Sequence, residues 1–506
     1  MDTAEVSSIC CIGAGYVGGP TAAVMAYYNP HLTVTVVDRD QARIDRWNSE
    51  NLPLYEPGLL QMLQSARDGS TEDMEHQQMA TVSPQSERRR PNLLFSTDVA
   101  KNIGAADMIL IAVNTPTKKR GLGAGRATDV TALEAVTKQI AIHAKAGAIL
   151  VEKSTVPCRT ADLIRETLKT YRPGVHFEVL SNPEFLSAGT AISDLVSPSR
   201  VLIGSQPTTE GLRAATALER VYSWVDPCKI MHTNTYSSEL AKLVANAMLA
   251  QRISSINSIS AICEKTGADI HEISNAIGAD ARIGSKYLKA GVGFGGSCFG
   301  KDIRSLAYLA ETLGLPEVAE YWQQVLKINE WQGTRFARKV VKRLNGTLSG
   351  KKITVLGYAF KPGTDDTRES PALEGIRILL DDAPAEVAIF DPFCCPTVVR
   401  EEVGRLCGSE VLKCNDGSVE VYENAYEACD RSHAIIIMTD CDEFRQSAKA
   451  GYEVSNLENR LDWPKIVYNL EKPRWVFDGR GIVDLDVMEK VGVRVEGIGR
   501  VGWGGL

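Results

Sequence analysis

Short apolar runs separated by amphipathic stretches and polar loops recur along most of the chain. The first, I-C-C-I at 9–12, leads into G-G-P-T-A-A-V-M-A from Gly18, a pattern that predicts a strand turning into a small-residue helix. Runs at 33–37, 108–113, 148–151 and 177–180 have the length and β-branched content of buried strands. Between 235 and 266 the pattern changes: proline and glycine are absent and apolar residues fall on several sides, predicting one helix about 45 Å long. Gly267 follows as its C-cap. So long a helix, apolar over most of its circumference, needs partners, so it is expected to form the spine of a central domain and a subunit interface. Past a glycine-rich stretch, residues 299–313 again carry apolar positions at helical spacing. Strand-like runs then return at 351–360, 385–390, 433–438 and 475–477.

The opening strand and helix enclose Gly13, Gly15 and Gly18 at G-x-G-x-x-G spacing. The second strand ends in Asp38, twenty residues after Gly18. In that context the glycines allow the turn, the approach of backbone to a pyrophosphate and close helix–strand packing, and the acid meets ribose hydroxyls. Asp38 favours NAD, because a carboxylate repels a 2′-phosphate; Arg39 and Arg43 weigh slightly against that preference, although an arginine can also stack on adenine. The fold expected is α/β: two Rossmann-like, doubly wound parallel-sheet domains joined by a helical central domain with one long helix. The boundaries expected are 1–234, 235–345 and 346–506. The L-P-L-Y-E-P-G-L segment at 52–59 reads as a tight surface turn, and 66–91, polar and without periodicity, as a long mobile loop or insertion.

Composition narrows the class. At 506 residues the chain exceeds one ordinary core, and 44% hydrophobic with 24% charged residues describes a globular protein. A net charge of −7 argues against broad nucleic-acid binding. No apolar run reaches the roughly eighteen residues of a membrane helix. The N-terminus lacks a basic leader, so a cytoplasmic location is expected. Twelve cysteines without a C-x-x-C pair suit reduced thiols, with no metal site expected.

The stretch G-F-G-G-S-C-F-G-K-D at 293–302 carries the densest chemistry. Glycines at this frequency weaken any fold unless the bare backbone is needed. Cys298 falls at a helix start, where unpaired N–H groups and the helix dipole favour a thiolate. Asp302, four residues on, shares its face. A glycine turn with a structural cysteine is the alternative. Lys242 and Asn246 likewise stand at i and i+4 on the long helix, a spacing that equally suits a snorkelling lysine. Strand-exit loops hold Val113, Asn114, Thr115, Pro116 and Thr117, then Ser154 and Thr155, and are expected to line a nicotinamide. Glu184, in S-N-P-E-F-L, occupies another exit as a catalytic acid or base, or as an exposed turn carboxylate. Lys361, Arg368 and Arg480 leave strands of the second α/β block, which lacks a G-x-G-x-x-G; they could meet phosphates or be ordinary surface cations.

Taken together, I-G-A-G-Y-V-G-G-P-T, V-N-T-P-T-K, E-K-S-T-V-P, S-N-P-E-F-L, S-S-E-L-A-K-L-V-A-N-A, G-F-G-G-S-C-F-G-K-D, F-K-P-G-T-D-D-T-R-E-S and F-D-G-R resemble the UDP-glucose 6-dehydrogenases of animal and fungal type. The resemblance covers nearly the whole chain. It implies oxidation of UDP-glucose to the acid with two NAD+, a homodimer built on the long helix, and further association of dimers. It implies Cys298 as the carrier of a thiohemiacetal and thioester. Lys242 and Asn246 would stabilise oxyanions, Asp302 and Thr155 would serve an ordered water, and Glu184 would act in hydrolysis. NAD contacts would include Gly13, Gly15, Tyr16, Val17, Gly18, Asp38, Arg43 and the loops at 113–117 and 154–155. Substrate contacts would include Glu184, Phe185, Leu186, Lys242, Asn246, Lys289, Gly293, Phe294, Gly295, Phe360, Lys361 and Arg480, with Arg282 reaching across the dimer. Ala188 departs from the family, which commonly has glutamate there. Sibling enzymes acting on GDP-mannose or a UDP-N-acetyl sugar, a one-step dehydrogenase and a non-catalytic nucleotide-sugar sensor remain alternatives.

Overall fold

A computed structural model describes residues 6–69, 89–445 and 460–500. The expectations for residues 1–5 and 70–88 lie outside the described residues. Two compact units divide the chain, Met1–Ala245 and Asn246–Leu506.

The first unit is built on β1 (Ser8–Ile12), β2 (Thr33–Val37), β3 (Leu93–Ser96), β4 (Met108–Ile111), β5 (Ile149–Glu152), β6 (Glu178–Ser181), β7 (Val201–Ser205) and β8 (Ile230–Asn234). Their order is β3-β2-β1-β4-β5-β6-β7-β8. The first six pair in parallel, so helices cover both faces and strands such as I-C-C-I are buried throughout. Burial raises the thiol pKa of both Cys10 and Cys11, which pack as small apolar residues. The parallel-sheet expectation fails at one place: β7 pairs antiparallel with β6, and β8 follows β7 in parallel. Only a six-residue helix, Ala191–Val196, lies on the connection from β6 to β7. The chain therefore re-enters the sheet from the edge where β6 leaves it.

Residues 66–68 close the helix Leu59–Asp68, capped by Gly69 in the left-handed conformation. Arg89 donates to the carbonyls of Ala26 and Tyr27. The loop expected over 66–91 is thus fixed structure at 66–69 and 89–91, where local polarity hid a helix end and a buried anchor.

In the second unit β9 (Lys352–Leu356), β10 (Glu386–Phe390), β11 (Val419–Val421), β12 (Ala434–Ile437), β13 (Trp475–Asp478) and β14 (Arg494–Gly497) form an all-parallel sheet ordered β11-β10-β9-β12-β13-β14. This repeats the order of the first six strands of the other sheet. The long helix runs Thr235–Thr266, as its composition predicts. A second long helix, Pro316–Arg343, packs against the helix Phe299–Thr312. Ion pairs hold it: Glu264 meets Arg335 at 2.6 Å and Lys339 at 2.7 Å, and Glu496 meets Arg343 at 2.7 Å. Among the described residues no helix is long and apolar enough to cross a membrane.

Within the first unit the start of the long helix is fastened through Glu239. Its carboxylate accepts N–H groups of Arg159 at 2.6 Å and Ala161 at 2.8 Å, at the N-terminus of the helix Thr160–Tyr171. Glu152, at the end of β5, is 1% exposed, and burial followed by the Glu239 charge holds its pKa well above the usual carboxylate range. The folded chain therefore keeps this proton at pH values where the unfolded chain has released it. Stability declines as pH rises above the ordinary glutamate range and is greatest below it. Glu152→Gln, which cannot ionise, is expected to flatten this decline and to melt roughly 3 °C above the parent at pH 8. Melting curves from pH 5 to 9 check it, and parallel curves for the two proteins contradict it.

Candidate functional site

The glycine loop after β1 shows three separate requirements. Gly13 has φ +110° and donates its N–H to Val37 at 2.8 Å; a Cβ there would lie 2.4 Å from the Ala112 carbonyl oxygen. A Cβ on Gly18 would fall 1.9 Å from the Gly13 oxygen, so the first turn of the helix Gly18–Tyr28, with Val17 as its N-cap, needs glycine for packing. Gly15 is different: nothing lies within 4 Å of its missing Cβ. Bare backbone facing open space is what a pyrophosphate requires. Gly15→Ala is therefore expected to keep the parental melting temperature while weakening NAD binding by about tenfold or more, whereas Gly18→Ala fails to fold. Calorimetric titration with NADH beside thermal melts separates the two; unchanged affinity in Gly15→Ala would contradict the reading.

Asp38 follows β2. Its Oδ2 accepts from Ala14 N–H at 2.9 Å and Arg43 Nη1 at 3.1 Å, and its Oδ1 from Asp40 N–H at 3.1 Å. A carboxylate has about four acceptor positions, so one on Oδ1 remains for a hydroxyl. Arg43 is engaged with Asp38 and Asp40. Tyr16 donates its hydroxyl to Glu56, and burial, then that bond, raises the phenol pKa. Glu56 is 5% exposed and also accepts N–H groups of Gly189 at 2.7 Å and Ala191 at 3.0 Å. The surface-turn reading of L-P-L-Y-E-P-G-L therefore fails at Glu56, which ties the glycine loop to residues 187–191.

At the neighbouring exits Ser154 Oγ donates to the Val113 carbonyl at 2.7 Å, and Thr115 Oγ1 to the Thr155 carbonyl at 2.7 Å. Asn114 and Pro116 are exposed, while Thr117 and Thr128 bridge. Lys153, buried, donates to Asn182 and Tyr222, each at 3.0 Å. Glu184 is half-buried rather than an exposed turn residue: Oε1 lies 3.3 Å from Lys242 Nζ, and Oε2 accepts the Leu186 N–H at 2.7 Å. Lys242 is no snorkelling lysine. It is 4% exposed and also lies over the Phe185 ring, 5.2 Å from the centroid.

In the second unit Asn246 Nδ2 donates to Asp302 Oδ2 at 2.6 Å, and Asp302 Oδ1 lies 3.3 Å from Lys301 Nζ. Asp302 is 1% exposed. Cys298 is the N-cap of the helix Phe299–Thr312 and is exposed; its side chain makes no capping bond, and its carbonyl accepts the Asp302 N–H at 2.9 Å. The preceding glycines are needed for protein packing. A Cβ on Gly295 would lie 2.4 Å from the Glu369 carbonyl oxygen, and one on Gly296 would lie 2.8 Å from the Phe360 ring. Asn329 brackets Phe294, accepting its N–H at 2.8 Å and donating to its carbonyl at 3.0 Å. Arg480 Nη1 donates to the Gly293 carbonyl at 3.1 Å and Nε to Met438 at 2.6 Å. Its Nη2 is enclosed with no protein partner among the described residues, and burial lowers the guanidinium to about 10. An oriented, unsatisfied donor of this kind suits a ligand oxygen. Lys289 pairs with Asp440 at 2.8 Å, Lys361 lies 5.8 Å from the centroid of the Phe360 ring, and Arg368 is held by Asp366 at 2.6 Å. Arg282, paired with Asp280 at 2.6 Å, projects into solvent.

Residues 7–83 and 73–226 match the UDP-glucose/GDP-mannose dehydrogenase family's NAD binding domain, 236–331 its central domain and 354–485 its UDP binding domain. The chain belongs to the UDP-glucose/GDP-mannose dehydrogenase family. It is 47% identical over 501 residues to UDP-glucose 6-dehydrogenase 3 of Oryza sativa subsp. japonica, covering 97% of each chain. To the Drosophila melanogaster UDP-glucose 6-dehydrogenase it is 45% identical over 494 residues, covering 97% of this chain and 96% of that one. A solved UDP-glucose dehydrogenase from Pyrobaculum islandicum is 29% identical, with a TM-score of 0.77 and 98% of both chains covered.

NAD is the cofactor of the family's first domain, and the Gly15 opening and the free acceptor on Asp38 fit it. The family's UDP-binding domain repeats the same framework with a different outcome. Gly357 has φ +93° and donates to Phe390 at 2.8 Å, as Gly13 does to Val37. Asp391, after β10, stands where Asp38 stands after β2. Its four acceptor positions are all taken, by N–H groups of Tyr358, Ala359, Phe393 and Cys394 at 2.6 to 3.1 Å. It fastens two loops and has nothing left for a ribose. Asn329 and the role of Glu56 escaped the sequence reading, whereas Asp391 is visible there as the residue that ends the apolar run at 385–390. Only the carboxylates following apolar runs gave a signal, and at Asp391 that signal marks a loop fastening.

Proposed function

We propose that this chain is an NAD-dependent UDP-glucose 6-dehydrogenase that forms UDP-glucuronate with two NAD+ per substrate through a thiohemiacetal and a thioester on Cys298. The observation that carries this reading is a pair of buried polar contacts on successive turns of one helix, Lys242 with Glu184 and Asn246 with Asp302. Asp302 in turn sits in the first turn of the helix capped by Cys298. When bound, NAD supplies a two-electron acceptor, once for alcohol to aldehyde and once for thiohemiacetal to thioester. The Cys298 sulfur captures the aldehyde before it can leave. Lys242 and Asn246 present N–H donors to the oxygen on C6 wherever negative charge develops. Asp302 accepts a proton through a water that Thr155 helps to hold, and Glu184 takes a proton from the water that hydrolyses the thioester. Arg480 Nη2 is assigned a substrate oxygen.

The three-domain division at 234/235 and 345/346, a cytosolic site of action and a dimer on the long helix belong to the same reading. Met248, Ile259 and Ile262 leave apolar surface exposed along that helix, which supports self-association. The deciding experiment measures NADH formed per UDP-glucose consumed to completion with excess NAD+, beside GDP-mannose. Two NADH from UDP-glucose and little from GDP-mannose is the expected result. One NADH per sugar refutes the thioester route, and preference for GDP-mannose refutes the substrate.

A further inference from the structure

Among the described residues, β7 alone pairs antiparallel with its neighbour, and in that pairing Ser181 faces Gly204. Arg200 immediately precedes β7, and Phe185 lies four residues beyond the end of β6. The reversal thus brings Arg200, the residue before β7, to the edge where β6 exits. Its guanidinium carbon lies 3.8 Å from the centroid of the Phe185 ring. Its hydrogen bond goes to Ser199 Oγ at 3.3 Å, and no carboxylate pairs with it among the described residues. A half-buried arginine without an acid draws its stabilisation from the ring, and a planar guanidinium holds a ring more firmly than a lysine does. Phe185 is flanked by Glu184 and Leu186, and the Leu186 N–H and Lys242 grip the two oxygens of Glu184. Whatever fixes the Phe185 ring fixes the segment that presents that carboxylate.

We propose that Arg200 is a positioning residue, which clamps Phe185 so that Glu184 stays aligned for hydrolysis of the acyl-enzyme. The proposal rests on the thioester reading above. In the step concerned, water adds to the acyl carbon and gives a proton to Glu184. The C–S bond then breaks, and that proton returns to the sulfur, so no redox partner is needed.

The test compares Arg200→Met, Arg200→Lys, Phe185→Leu and the double variant Arg200→Met/Phe185→Leu with the parent. Melting temperature, KM for UDP-glucose, kcat and the rapid-mixing burst of NADH are measured for each. Arg200→Met is expected to melt like the parent and to lose about tenfold in kcat, with KM falling in step because the slowed hydrolysis follows both oxidations. Arg200→Met is expected to show a burst of two NADH per site, because both oxidations precede the slowed step. Arg200→Lys falls between, and the double variant is no slower than the worse single one. Parental kcat in Arg200→Met, additive losses in the double variant, or a rise in KM alone would each overturn the proposal. If the parent itself releases one NADH per UDP-glucose, the thioester reading fails instead, an outcome distinguishable from the others.

Discussion

Cys298→Ser yields a folded protein that forms the acid at least about a thousandfold more slowly than the parent. The residue is exposed, its side chain makes no capping bond, its Sγ lies 3.9 Å from Ser297 Oγ, a contact a serine hydroxyl can keep, and the first turn of its helix is closed by its own backbone, so stability should change little. The chemistry loses more. A serine hydroxyl adds to an aldehyde far less readily than a thiolate, and the ester it would form is a poorer acyl donor than a thioester. The first oxidation needs no sulfur, so a slow formation of one NADH per site is compatible with the variant, whereas the second is lost. Quenched-flow counting of NADH per site, with mass analysis of the sugar nucleotide, distinguishes one oxidation from two. Acid formation at the parental rate would remove Cys298 from the reaction.

What could be read from the chain follows from the range of the interactions involved. Helical and strand periodicities are local, so the bounds of Thr235–Thr266 and the partnership of Gly13, Gly15, Gly18 and Asp38 were legible. So was the spacing of Cys298 to Asp302 and of Lys242 to Asn246. Which side chains these meet was not: Asn246 finds Asp302 56 residues away, and Glu56 finds Gly189 133 residues away. The helix Pro316–Arg343 escaped for another reason. Its buried face, Ala319, Val325, Gln332, Phe336, Ala337 and Val340, mixes small and polar residues with apolar ones, and Arg335, Lys339 and Arg343 beside it pair with Glu264 and Glu496, so the apolar stripe that betrays a helix is diluted. Short strands of three to five residues, such as β11 and the partly exposed β8, have too few positions to show a period. The glycines at 293–296 were visible but their reason was not, since Asn329, Phe360 and Glu369 become neighbours only in the fold. The antiparallel β7 was invisible as well, because orientation is set by the length and shape of a connection and leaves no mark on the strand itself.

Lys242→Met is expected to lower kcat by about a hundredfold to a thousandfold with little change in KM, the signature of a donor that matters as charge develops on C6. It also destabilises the protein, for a separate reason. Lys242 is 4% exposed and Glu184 is its half-buried partner at 3.3 Å, so the variant strands a carboxylate with only the Leu186 N–H to face it. Breaking a buried pair from one side costs about 3–5 kcal/mol, and the partial exposure of Glu184 places this case at or below the lower end. The two effects separate in Lys242→Met/Glu184→Gln. Neutralising the partner removes the stranded charge, so the melting temperature recovers most of what the single variant lost, while the rate of the first NADH, a step that does not use Glu184, does not recover, because the donor is still missing. Recovery of rate along with stability would show that Lys242 serves only to balance Glu184. Arginine is a poor substitute in the same place: its wider head cannot occupy the space of an ammonium held beside Glu184 and over the Phe185 ring, so Lys242→Arg keeps the charge and is still expected to lose most of the rate. Charge at this position therefore serves folding stability only by balancing Glu184, and the point geometry of an ammonium is what the oxidation requires beyond that.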